Sequence, residues 1–164
     1  MHTRVLKLKH GPTIHVRTLR NGDVDTVISM FNRLGEQARR KRFNGPKARL
    51  TEDELWQLAT VDATHHVLVA YVEGDREPVA IARLVRDGDA AEIAFEVASD
   101  YRERGIGSAL AAELVSDARA VGITEITALV SSDNPAAVAL IRRIANVIDT
   151  KLEGPELSIR AAIA

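Results

Sequence analysis

The hexapeptide Arg102-Glu103-Arg104-Gly105-Ile106-Gly107 constrains this chain more than any other segment, because of what stands on either side of it. Before it, Ala90 to Ala98 reads as a β-strand. After it, Ile106, Ala109, Leu110, Leu114, Ala118 and Val121 recur at helical spacing until Gly122 stops the pattern. A strand that enters a helix through Arg-x-x-Gly-x-Gly makes a seat for an anion. Glycine lets backbone approach a ligand closely, the first-turn N–H groups lack internal acceptors, and the helix dipole favours negative charge. Two familiar phosphate loops do not fit. A Walker A loop ends in Gly-Lys-Ser/Thr, which is absent. A dinucleotide fingerprint needs a third glycine or alanine where Leu110 stands, and it follows the first strand of a parallel unit. Gly-x-Gly is also the sequence of an ordinary tight turn, so its surroundings decide between the two readings.

Those surroundings are ordered. Thr13 to Arg17 alternates polar and apolar residues as a half-buried strand does. Asp23 caps a helix that places Val24, Val27, Ile28, Phe31 and Leu34 on one face, with Gly35 at its end. A basic run, Arg39-Arg40-Lys41-Arg42, is closed by Phe43, Asn44, Gly45 and Pro46. Thr51 and Glu54 form a capping box for a short helix carrying Leu55, Trp56 and Leu58, with core burial expected for Trp56 and Phe43 ahead of a place beside an acceptor site. Three strands then follow one another, over 67–72, 79–85 and 90–98, with Asp87-Gly88 as a hairpin signal. Beyond the glycine loop and its helix come a strand at 126–130 and a helix opened by Asn134-Pro135. Two last strands follow around Gly154-Pro155. The sum is an α/β chain of the α+β type, a mainly antiparallel sheet of about six to seven strands flanked by about four helices. At 164 residues, one domain over 1–164 is expected.

Composition removes whole classes. A hydrophobic fraction of 46% and a charged fraction of 27% exclude a disordered chain, a collagen and a membrane-spanning helix bundle. A net charge of −1 gives no reason to expect nucleic acid or a membrane surface as partner. Cysteine is absent, so thiolate metal sites, disulfides and a cysteine nucleophile are excluded. His65-His66 has no further ligand at metal spacing, and no metal is expected. The start lacks an apolar signal core, so a cytoplasmic location is expected.

The block from Glu92 to Leu110, EIAFEVASDYRERGIGSAL, resembles the strand, pyrophosphate loop and helix of the GNAT superfamily of N-acetyltransferases. Asn134, with Ala137, Leu140 and Arg143 after it, is similar to the family's asparagine-bearing helix. The segments 36–43, 67–72 and 80–84 resemble the GNAT domains of bacterial protein-lysine acetyltransferases. The likeness implies a V-shaped cleft between the family's fourth and fifth strands and acetyl-CoA as co-substrate. The pantetheine arm would meet backbone at Val97, Ala98 and Ser99. The pyrophosphate would be held between Arg102 and Ser108, through Arg102, Arg104, Gly105, Ile106, Gly107 and Ser108. Asn134 matches a position that contacts the cofactor arm.

Acetyl transfer from a thioester to an amine needs a neutral amine, a stabilised oxyanion and a tolerable thiolate. A lysine ammonium has a pKa of about 10.4, so a general base helps near neutrality. Alternation puts Glu92, Ala94 and Glu96 on one strand face and Ile93, Phe95 and Val97 on the other. Glu92 matches the family's strand glutamate that acts as base, with Glu96 second; a solvated strand face is the plain alternative for both. A backbone N–H near Val97 is the expected oxyanion donor. The chain departs from the family at Ile141, where many members carry a tyrosine thought to protonate the thiolate. The expected acceptor is a primary amine, a protein lysine ahead of a small molecule. A non-catalytic acetyl-CoA sensor is the alternative that Ile141 keeps open, and the oligomeric state stays unassigned.

Overall fold

The computed structural model describes residues 3–43 and 47–163, without the side chains of residues 37, 38, 41 and 42. Among these residues, eight strands and five α-helices form in the order β1 (Arg4–Lys7), β2 (Thr13–Thr18), α1 (Val24–Arg33), α2 (Glu36–Phe43), α3 (Glu52–Leu58), β3 (His65–Val72), β4 (Ala80–Asp87) and β5 (Ala90–Val97). A short 3-10 turn (Ser99–Tyr101) leads to α4 (Ile106–Ala120), β6 (Glu125–Ser131), α5 (Pro135–Ile144), β7 (Asn146–Glu153) and β8 (Glu156–Ala162). The expectation of about six to seven strands and about four helices missed β1 and α2. The sheet runs β1-β2-β3-β4-β5-β6-β8-β7, antiparallel throughout except between β5 and β6.

Local chemistry explains where most elements begin. The Asp23 carboxylate accepts the Thr26 N–H at the start of α1, and Thr51 and Glu54 close the expected capping box on α3. Asn134 caps α5 by accepting the Ala137 N–H, with Pro135 at the first helical position. The basic α2 has no apolar stripe, and it is held instead through Arg39. That guanidinium lies 4.2 Å from the Phe31 ring centroid and donates to the Phe31 carbonyl at 3.1 Å. The expected stop at Asn44, Gly45 and Pro46 lies outside the described residues.

Two apolar cores cover opposite faces of the sheet. One gathers Leu68, Ala82, Leu84 and Ile93 under Ile106, Leu110 and Leu114 of α4. The other gathers Val67, Val69 and Ile81 under Val27, Met30 and Phe31 of α1. Two expectations about packing are corrected. Trp56, expected in a core, is 53% exposed, because α3 turns Leu55 and Leu58 inward instead. Val121, expected on the buried stripe of α4, stands 55% exposed at the helix C-cap; Ala111 and Val115 are buried instead.

Candidate active site

The site is made by two strands that part. β5 and β6 pair through Ala90–Glu125, Ala91–Ile126 and Glu92–Thr127, and no further. Beyond that point β5 stays with β4 as far as Val97, while β6 stays with β8 as far as Ser131. Each strand follows its antiparallel partner, and a cleft of about 680 Å³ opens between them.

Backbone polarity in the cleft follows from the β4–β5 ladder. The Ala98 N–H donates to the Val79 carbonyl at 2.7 Å, toward β4. Hydrogen-bonding direction alternates along an antiparallel strand, so the N–H and C=O groups of Phe95 and Val97 point the other way, into the cleft. This leaves two peptide groups on an unpaired edge, a template for an extended amide-bearing ligand.

The floor of the cleft is the start of α4. Gly105 has φ +81°, and nothing lies within 4 Å of where its side chain would be. The first intrahelical bond runs from the Ala109 N–H to the Gly105 carbonyl at 3.0 Å. The N–H groups of Ile106, Gly107 and Ser108 therefore have no acceptor within the helix. A Cβ on Gly107 would stand 3.1 Å from Val97 Cγ2 and 3.4 Å from Leu140 Cδ1. That glycine lets the first turn sit close against β5 and α5. Arg143 in the last turn of α5 donates to the Ser108 hydroxyl at 3.0 Å, tying the two helices together at the cleft wall.

Of the residues singled out in the sequence, Glu92, Glu96, Val97, Arg102, Gly105, Ile106, Gly107, Ser108 and Asn134 border this cleft. Three stand back from it. Ala98 is buried with its N–H committed to β4, Ser99 packs against Gly35, and the Arg104 guanidinium lies 5.3 Å from the Tyr101 ring centroid. Ile141 is 1% exposed in the core beneath α4. Tyr101, Leu129 and Glu156 also line the cleft. No local pattern marks these three, because they arrive from separate elements.

The two carboxylates differ sharply. Register places Val85, Arg83 and Ile81 beside Glu92, Ala94 and Glu96, on the sheet face that carries α1 rather than α4. Glu96 has a side chain 8% exposed and an ion pair of 3.4 Å to Arg83, itself 12% exposed and within 3.4 Å of the Leu58 carbonyl. Glu92 is exposed at the vertex of the cleft, on the last paired rung before the strands diverge. The open first turn of α4 and the exposed Glu92 carboxylate thus lie on opposite faces of the sheet, joined through the gap between β5 and β6.

His65 and His66 are each engaged by a carboxylate. His65 Nδ1 lies 2.9 Å from Asp62 and His66 Nε2 lies 2.8 Å from Asp117.

The acetyltransferase (GNAT) family model matches residues 31–145. This chain belongs to the GNAT family of acetyltransferases. It is 32% identical over 146 residues to the acetyltransferase Pat of Mycolicibacterium smegmatis, an alignment covering 87% of this chain. The chain spans only 44% of the length of that relative. Among solved structures, the GNAT domain of S. lividans PAT superposes with a TM-score of 0.86 at 23% identity, covering 98% of this chain and 96% of that one. A cAMP-binding acyltransferase from Mycobacterium smegmatis gives 0.69 at 26% identity, covering 99% of this chain and 48% of that one. The likeness of the GNAT domains confirms the expected fold, with the cleft between β5 and β6 because β1 adds one strand at the start.

Proposed function

We propose that this GNAT domain transfers an acetyl group from acetyl-CoA to a primary amine, with a protein lysine as the preferred acceptor. The observation that carries the reading is the pairing of an anion seat on one sheet face with an exposed glutamate on the other, connected by the split between β5 and β6. The residues present fit the co-substrate: free first-turn N–H groups of α4 suit a diphosphate, and the open edge at Phe95 and Val97 suits the amides of a pantetheine arm. The similarity to the acetyltransferase Pat supports acetyl transfer, and the resemblance of segments 36–43, 67–72 and 80–84 to the GNAT domains of bacterial protein-lysine acetyltransferases supports a protein acceptor.

The chemistry assigned to the chain is short. Glu92 accepts the proton of the incoming ammonium, directly or through one water, and leaves the nitrogen lone pair free to attack the thioester carbon. The Val97 N–H donates to the oxygen as negative charge develops there. The C–N bond forms, the C–S bond breaks, and the sulfur leaves as a thiolate that takes up the second proton the nitrogen sheds on becoming an amide. A thiol of pKa about 8.5 is a fair leaving group without a tyrosine at Ile141. Asn134 borders the cleft, with its side-chain oxygen engaged in capping α5.

The test is thiol release from acetyl-CoA by purified protein, with lysine-bearing polypeptides and small amines as acceptors. Amine-dependent release is expected, and Glu92→Gln lowers kcat/KM by about a hundredfold or more. If Glu92→Gln keeps the wild-type value and the same pH profile, Glu92 is not the base. Saturable acetyl-CoA binding with thiol release no higher than the blank would make the domain a sensor, the reading that Ile141 favours.

A further inference from the structure

The loop that forms the anion seat is backbone-strained and is held from outside. Glu103 has φ +60°, the one non-glycine residue with positive φ among the described residues, and Gly105 follows at +81°. Gly105 adopts that conformation freely, but left-handed backbone at Glu103 is costly and needs external contacts to persist. Those contacts converge on Tyr101, immediately before the loop. Its hydroxyl donates to Asp75 Oδ2 at 3.0 Å. The same oxygen accepts Arg33 Nη1 at 3.0 Å, and the Arg33 guanidinium carbon lies 5.2 Å from the Tyr101 ring centroid. Asp75 is fixed in turn, since its Oδ1 accepts the Glu77 N–H at 3.0 Å. The Tyr101 ring also carries the Arg104 guanidinium from within the loop. On another side, the Arg104 carbonyl would stand 2.5 Å from a Cβ at Gly11, so the β1–β2 turn backs the loop as well.

We propose that Asp75, Arg33 and Tyr101 form a clamp that holds the coenzyme loop in its binding shape. They thereby set the affinity for coenzyme A without taking part in acetyl transfer. The proposal rests on the coenzyme reading of the cleft. Arg33 comes from α1 and Asp75 from the β3–β4 turn, far in sequence from the loop they hold. A loop already in its bound shape loses less entropy on binding, and releasing it weakens binding without altering the reacting groups. Asp75 and Arg33 are positioning residues, since neither borders the cleft.

Asp75→Asn keeps an oxygen for the Glu77 N–H but turns an amide N–H₂ toward the Arg33 guanidinium, so that charge-assisted bond is lost, and the Tyr101 hydroxyl is left with a neutral partner to which it must reverse its role. Tyr101→Phe removes one hydroxyl and keeps the ring. In each variant the Kd for coenzyme A by calorimetry and the KM for acetyl-CoA are expected to rise about tenfold, the loss of one charge-assisted bond. For Asp75→Asn, kcat at saturating acetyl-CoA and the KM for the amine stay within about twofold of wild type. The double variant should bind no worse than the weaker single one, because both substitutions open the same contact. Thermal midpoints verify that Tyr101→Phe, the milder change, remains folded. A Kd within twofold of wild type in both variants overturns the clamp. So does a fall in kcat with Kd preserved, or a double variant that multiplies the two losses. Wild-type protein that fails to bind coenzyme A is a different result, and it removes the coenzyme reading and the clamp together.

Discussion

Glu92 and Glu96 share a strand face two residues apart, and their fates are set by their neighbours. The Arg83 guanidinium engages Glu96 in a setting where both side chains are almost out of solvent. Removing one partner from a buried pair leaves the other charge uncompensated and costs about 3 kcal/mol. Glu96→Gln should therefore act mainly on stability, lowering the unfolding midpoint in denaturant titration, whereas Glu92→Gln should act mainly on turnover. A Glu96→Gln protein as stable as wild type but inactive would reverse the assignment of the two. Sequence alternation put the pair on one face; only the cross-strand register, Ile81 with Glu96 and Arg83 with Ala94, shows which carboxylate is already engaged.

The start of α4 is the element on which the seat depends, and Gly107 is its most sensitive point. Gly107→Ala adds a Cβ 3.1 Å from Val97 and 3.4 Å from Leu140. Alanine favours the helix by about 1 kcal/mol over glycine, while overpacking costs about 1–3 kcal/mol. Net stability should fall by no more than about 2 kcal/mol. Coenzyme A affinity should drop further than that, because the first turn is pushed away from the β5 edge that binds alongside it. Calorimetry on Gly107→Ala checks this, and undiminished affinity would separate the helix position from the seat. α2 carries a different lesson. Its run of Glu36 to Arg42 has no amphipathic period, and it forms because Arg39 reaches back to the ring and carbonyl of Phe31. A propensity reading sees a charged segment there, since the contact that orders it is tertiary.

Over the whole molecule, stability should be pH-dependent on the acid side. The Asp75 carboxyl is held below its usual range by the Glu77 N–H, with Arg33 and Tyr101 adding to this. Glu54 is held down to about 2 by Lys47 and the Thr51 N–H, and Asp62 is lowered by His65 and the Thr64 N–H. Each carboxyl binds a proton more readily when unfolded. Their contribution is thus fully present above a pH of about 5 and is lost as pH falls through the folded-state values. Thermal midpoints should hold from neutrality to about pH 5 and decline below about pH 4. Asp75→Asn should make that decline shallower, and an identical slope would show that Asp75 contributes nothing to it. At this scale, too, β1 becomes intelligible. Four residues, Arg4–Lys7, make a strand because they pair with β2, and because Arg4 reaches Glu113 and Asp117 of α4 at 2.8 and 2.9 Å.

What the sequence alone determined is whatever a few neighbouring residues can enforce. The strand-and-helix order follows from apolar spacing, the caps from Asp23, Thr51 and Asn134, and the left-handed entry into α4 from the glycine at 105. Tertiary structure alone decided the rest. The cleft exists because β5 and β6 each remain with a different antiparallel partner, so no local pattern announces where they separate. The engagement of Glu96 by Arg83 and of Tyr101 by Asp75 joins residues 13 and 26 positions apart. Such contacts depend on how distant segments are brought side by side, and side-chain periodicity within one segment carries no record of its eventual neighbour.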